Sequence, residues 1–150
     1  FQYFYCHYTK SCLQYLQKYM KENKMAQTIL AFGLHKEKLM AVRQTAQKNS
    51  IQVKEINRKD YNQKLGALTG IQGFSKEKGI YTGPEFPLEM IIFSGIDSKQ
   101  VDTFLTDYKK TGAPSVPLKA ILTPHNIFWT AEALFQELWK EHLHFQNKPF

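Results

Sequence analysis

Two short apolar runs, each closed by a glycine and one more apolar residue, constrain this chain most. Thr28-Ile29-Leu30-Ala31-Phe32-Gly33-Leu34 is answered 62 positions later by Met90-Ile91-Ile92-Phe93-Ser94-Gly95-Ile96. A short continuous apolar run suits a strand covered on both faces, whereas a strand with one wet face alternates. A helical pattern follows each run. Leu34, Leu39, Val42 and Ala46 share a face in the first, and Val101, Phe104, Leu105 and Tyr108 in the second, where Asp97 or Ser98 supplies the cap. Asn49-Ser50 and Thr111-Gly112 are the stop signals.

A second strand then follows in each half. Ile51-Gln52-Val53-Lys54-Glu55-Ile56 alternates, and Val116-Pro117-Leu118-Lys119-Ala120-Ile121-Leu122 matches it with Lys54 set against Lys119. Pro117 has no N–H for a ladder, which places it at a strand start or on an edge. Each half closes on a further helix, short around Asp60–Leu68 and long from Thr130 to about His144, with Leu134, Phe135, Leu138 and Trp139 inward. A parallel strand pair with a crossover helix is right-handed. The expectation is an α/β fold, a small four-stranded sheet built from two similar β-α-β-α halves with helices packed on it. The alternative is an α+β, ferredoxin-like sheet.

The domain expected from these patterns spans residues 25–146, with halves 25–68 and 88–146 around a loop over 69–87 and a tail at 147–150. Six glycines and prolines (Gly70, Gly73, Gly79, Gly83, Pro84, Pro87) make the central stretch a loop of about twenty residues, and loops of such length often carry function. Phe74, Ile80, Tyr81 and Phe86 are its candidate anchors. Residues 1–24 differ in composition, holding seven of the 21 aromatic residues and both cysteines. Ser11 would cap a short helix there, with Leu13, Leu16 and Met20 as its apolar stripe. Lys21–Met25 can be back-translated with AGGAG ahead of ATG, so Met25 is read as the natural start and 1–24 as an extension. Cys6-His7 and Cys12 fit no common zinc spacing, and sparse cysteine points to a cytosolic protein.

Composition narrows the function classes. No run approaches the length of apolar residues that spans a bilayer, so no membrane partner is expected. The net charge of +7 falls to +4 once residues 1–24 are set aside. The remaining basic residues are scattered among acids; Lys54, Arg58, Lys59 and Lys64 make only a modest patch, and nucleic acid is not the expected partner. The glycines form no dinucleotide or phosphate loop, and neither G-x-S-x-G nor H-E-x-x-H occurs. His142 and His144 lack metal spacing, and Glu137 with Glu141 reads as a solvated helix face. No cofactor, metal or catalytic set is expected.

The densest unusual cluster follows the last strand, Thr123-Pro124-His125-Asn126-Ile127-Phe128-Trp129-Thr130. Ligands of open α/β sheets sit beyond the carboxyl ends of strands. His125 suits acid–base work, Asn126 suits orienting a polar ligand, and Thr130 would cap a helix whose first amides attract anions. The competing reading makes this stretch a turn, with Trp129 packed on the sheet and Thr130 opening the helix.

The pattern Pro117-Leu118-Lys119-Ala120-x-Leu122-Thr123-Pro124-x-Asn126-x-x-Trp129-Thr130, with Leu134, Glu137-Leu138 and Glu141-His142, resembles the signature of a small bacterial family. That family is domain-of-unknown-function family 3783 (DUF3783), and the resemblance covers about Leu88–His142. Asp60-Tyr61-Asn62-Gln63-x-Leu65-Gly66-x-Leu68-x-Gly70 also resembles its longer members. The resemblance implies treating Lys119, Thr123, Asn126 and Trp129 as a unit and brings no known activity. The sequence thus points to a non-enzymatic domain binding a small ligand or a protein through Lys119, Thr123, His125, Asn126, Trp129 and Thr130. A homodimer is one form such a partner could take. The alternatives are a small enzyme using His125 with Lys119 or Asn126, and a weak nucleic-acid binder.

Overall fold

The computed structural model describes residues 10–146, with side chains from Gln14 onward. Cys6, His7 and the tail 147–150 lie outside the described residues, as do the side chains of Ser11, Cys12 and Leu13. In chain order the elements are α1 (Lys10–Glu22), β1 (Thr28–Phe32), α2 (Lys36–Lys48), β2 (Gln52–Ile56), a 3-10 turn (Arg58–Asp60) and α3 (Leu65–Leu68). They continue with β3 (Met90–Ser94), α4 (Ser98–Lys110), β4 (Leu118–Ile121), a 3-10 turn (Asn126–Phe128) and α5 (Ala131–Gln146).

The four strands form one mixed sheet in the order β2-β1-β3-β4. β1 runs parallel to β2, β3 parallel to β4, and the two central strands are antiparallel. A ferredoxin-like sheet is antiparallel throughout, with a third strand between the two strands that each crossover helix joins, whereas here β1–β2 and β3–β4 are adjacent parallel pairs, so the α/β reading holds and the alternative does not. Both apolar runs are the central strands, and the five residues of β3 are all buried, as continuous apolar runs require. Gly33 and Gly95 end them with φ of +68° and +71°, a left-handed turn that glycine adopts without a Cβ penalty.

The strands alternate their side chains between two layers. Ile29, Ala31, Ile91 and Phe93 pack with Val42 and Ala46 of α2 and Val101, Phe104 and Tyr108 of α4. Leu30, Phe32, Ile92, Leu118 and Ala120 pack with Tyr61, Leu65, Phe86, Leu134 and Leu138 on the opposite face. Leu16 and Met20 of α1 join this second layer, and the Gln17 side chain donates to the Ile96 carbonyl. α1 already begins at Lys10, so Ser11 falls within its first turn. Asp97 is the α4 cap, in a reciprocal box with Gln100. Pro117 directly precedes β4, which is an outer strand, as its missing N–H demands.

Three expectations need correction. The helix expected at Asp60–Leu68 is a 3-10 turn followed by the single turn of α3. Lys54 does not match Lys119. Lys54 stands opposite Leu30 and reaches the Leu68 carbonyl, whereas Lys119 stands opposite Ile91 and so faces the other layer. A one-residue difference in register reverses the face. Finally, Ile80 anchors nothing in the central loop, being 68% exposed.

Candidate functional site

The chain leaves β4 at Ile121 and turns on two polar side chains. Thr123 Oγ1 accepts from the Asn126 and His125 amides at 3.0 and 3.3 Å. Asn126 is fully buried; its Oδ1 accepts from the Thr123 amide at 2.8 Å and its Nδ2 donates to the Ile121 carbonyl at 3.0 Å. Short polar side chains bonding to nearby backbone are what T-P-x-N supplies in a turn. Each end of the Asn126 amide is therefore engaged within five residues of its own position. Buried polar groups satisfied in this way fix a turn, and Asn126 has no end directed at a ligand.

The next residues dock on the segment after β2. The Trp129 carbonyl accepts from the Leu65 amide, and Lys64 and Thr130 form an isolated antiparallel bridge. Thr130 caps α5 as expected, its Oγ1 accepting from the Ala133 amide at 3.1 Å. The anion site expected at this helix start is closed, because the Ala131 and Glu132 amides donate to the Gln63 and Tyr61 carbonyls. Trp129 packs on the core, with the exposed His125 ring edge-on to it at 5.2 Å. Phe128 is 60% exposed and its ring lies 5.3 Å from that of Phe74.

The central loop is held against the same region at three places. Phe74 covers Gly66, where an added Cβ would come within 2.7 Å of the ring. Buried Gln63 pairs with the Glu77 backbone twice, at 3.0 and 2.7 Å. Buried Tyr61 donates to Glu85 at 2.6 Å and stacks on Phe86, which stacks in turn on Phe135 of α5. Burial pushes the Tyr61 hydroxyl up, and the Glu85 hydrogen bond and charge add to that. Sequence reasoning named Phe74 and Phe86 as anchors but gave Tyr61 and Gln63 no role. Their signal was the Asp60–Gly70 pattern.

Of the six residues expected to form one site, the structure gathers Thr123, His125, Asn126, Trp129 and Thr130 and separates Lys119 from them. Lys119 faces the α2–α4 layer, whereas Ile127 and Trp129 pack in the α5 layer. Its surroundings are a hollow of about 670 Å³ between α4 and β4, lined by Leu105, Thr106, Tyr108, Ala113 and Ser115 among others. Burial pushes the Lys119 amine down to about 8, with the Lys38 ammonium adding to the effect. Lys38 itself is paired with Glu89, which also accepts from the His35 amide. No group of three or more His, Cys, Asp or Glu suited to a metal ion occurs among the described residues.

The turn at Thr123–Thr130, the capped α5 and the strand pair before them form one continuous unit from β3 onward. Residues 89–145 match the family model described as a domain of unknown function, DUF3783. This stretch belongs to that family. The DUF3783 stretch comprises β3, α4, β4, the second 3-10 turn and nearly all of α5, so β1 and Tyr61–Leu65, which complete its sheet and cover its loop, lie outside it. No curated protein and no solved structure matches the chain.

Proposed function

We propose that this is a non-enzymatic protein-binding module whose contact surface is the turn after β4, centred on Phe128 with His125 and Trp129 beside it. The observation that carries the reading is the pairing of a closed base with an open tip. Asn126 is fully buried with both ends of its amide bonded, while Phe128, two positions on, is 60% exposed. Single exposed apolar side chains are common on protein surfaces. This one stands on a turn that is already ordered, and presenting it costs little further conformational entropy, a property of aromatic anchors in interfaces. A small-ligand site at the same residues has less support, since Thr123, Asn126 and Thr130 are bonded within the protein.

A photocrosslinking phenylalanine analogue at position 128, expressed in the native host, tests this. A discrete protein adduct at 128, missing when the analogue replaces the equally exposed Met40 of α2, is the expected result. An adduct of twice the chain's mass would make the partner a second copy. No adduct, or the same adducts at both positions, would overturn the reading.

We also read the β1-α2-β2 and β3-α4-β4 units as copies of one plan. Leu30 and Ile92, 62 positions apart, stand directly opposite each other, and Gly33 and Gly95 share the same spacing and left-handed turn. The two cysteines of the chain support a cytosolic location.

A further inference from the structure

The hollow between α4 and β4 is unrelated to the turn after β4, and its chemistry differs. Its lining is mostly apolar, with Leu105, Tyr108 and Ala113, and Asp102, Thr106 and Ser115 are polar groups at it. Its volume of about 670 Å³ suits a small organic molecule. Lys119 comes to this space from the sheet itself, between buried Leu118 and Ala120, so its point of attachment is fixed by the strand. Lys109, also at the hollow, extends from an exposed position of α4.

We propose that Lys119 is a carbonyl-capturing residue, and that the α4–β4 hollow takes a small aldehyde or ketone with an apolar body, which the amine binds as a Schiff base. The neutral Nζ adds to the carbonyl carbon, and the resulting carbinolamine loses water to leave a C=N bond. No electrons are gained or lost. A lysine does this only when its nitrogen is unprotonated, which desolvation and a neighbouring cation both favour. Both are present: the amine is brought down to about 8 by burial first and by Lys38 second. The other ionisable groups around it are Asp102, Tyr108 and Lys109 of α4, Glu141 and His142 of α5, and Glu89, already paired with Lys38.

The test is reductive trapping with benzaldehyde and cyanoborohydride over pH 6–10, with adducts mapped by peptide mass spectrometry. At pH 8, Lys119 is expected to gain its benzyl adduct at least about tenfold faster than the exposed Lys109. Lys119→Arg should lose that adduct and leave the one on Lys109 unchanged. Ala113→Leu and Leu105→Trp fill the hollow, and each should slow labelling of Lys119 several-fold but not of Lys109, with circular dichroism confirming the fold. Equal labelling of the two lysines, or Lys119 labelling indifferent to both filling variants, would overturn the proposal. It rests on α4, β4 and Lys38 of α2, so its failure leaves the reading of Phe128 untouched, and the reverse holds too.

Discussion

Lys119 and the turn after β4 are separated by only three residues, yet they obey different physics. In the turn, the exposed His125 aside, the polar side chains that the sequence marks out are closed on their neighbours. Thr123 and Asn126 bond to backbone atoms nearby, and Thr130 bonds to the start of α5. Lys119 instead faces a hollow from the middle of a strand, where burial works against its charge. The difference teaches that a distinctive sequence motif can combine a folding device with a side chain placed in quite different surroundings. The sheet separates them because alternate residues of β4 face opposite layers.

The sharpest way to break this comparison is Asn126→Ala. If the turn is a folding device, losing both amide bonds in a fully buried site should lower stability by about 2–3 kcal/mol, read by urea denaturation. A loss within measurement error would mean that the turn does not depend on Asn126. Gly66→Ala probes the same closed region from the wall facing it. Its new Cβ would meet the Phe74 ring at 2.7 Å, and displacing that ring should cost about 1–2 kcal/mol. A stabilised Gly66→Ala protein, as helix propensity alone would give, would show that Phe74 does not clamp the central loop.

Lys119→Met sharpens the other side through the pH dependence of stability. The native amine titrates near 8 and the unfolded one at its ordinary 10.5. Between these values the unfolded chain holds the extra proton, so stability should rise with pH across that window. Above pH 10 the raised hydroxyls of Tyr61, Tyr81 and Tyr108 oppose this, because the unfolded tyrosines ionise first. Subtracting the Lys119→Met curve from the wild-type curve should isolate the rise from about 8 upward; a flat difference would remove the perturbed amine. The smallest effect belongs to Phe128→Ser, which should change stability by no more than about 0.5 kcal/mol because the ring is 60% exposed. A larger loss would make the Phe74–Phe128 contact structural and weaken the case for a partner.

Much of the fold was legible from local chemistry. The two apolar runs became the covered central strands, Asp97 and Thr130 became caps, and Pro117 stands at the threshold of an outer strand. The candidate site was legible only as a cluster of residue types. Asn126 has the composition of a ligand-orienting residue and of a turn residue alike. Only the positions of the Thr123 amide and Ile121 carbonyl show which it is.

The sequence by itself determined where the four strands and the helices α2, α4 and α5 lie, since those depend on side-chain period, left-handed glycines and caps within a few residues. The tertiary structure alone decided three further points. β1 and β3 pair antiparallel, Lys119 turns to the α4 layer, and the Tyr61 and Gln63 carbonyls close the start of α5. Each depends on groups far apart in the chain, brought together by burial of two apolar layers, and no local pattern records which distant backbone atom will satisfy a given amide.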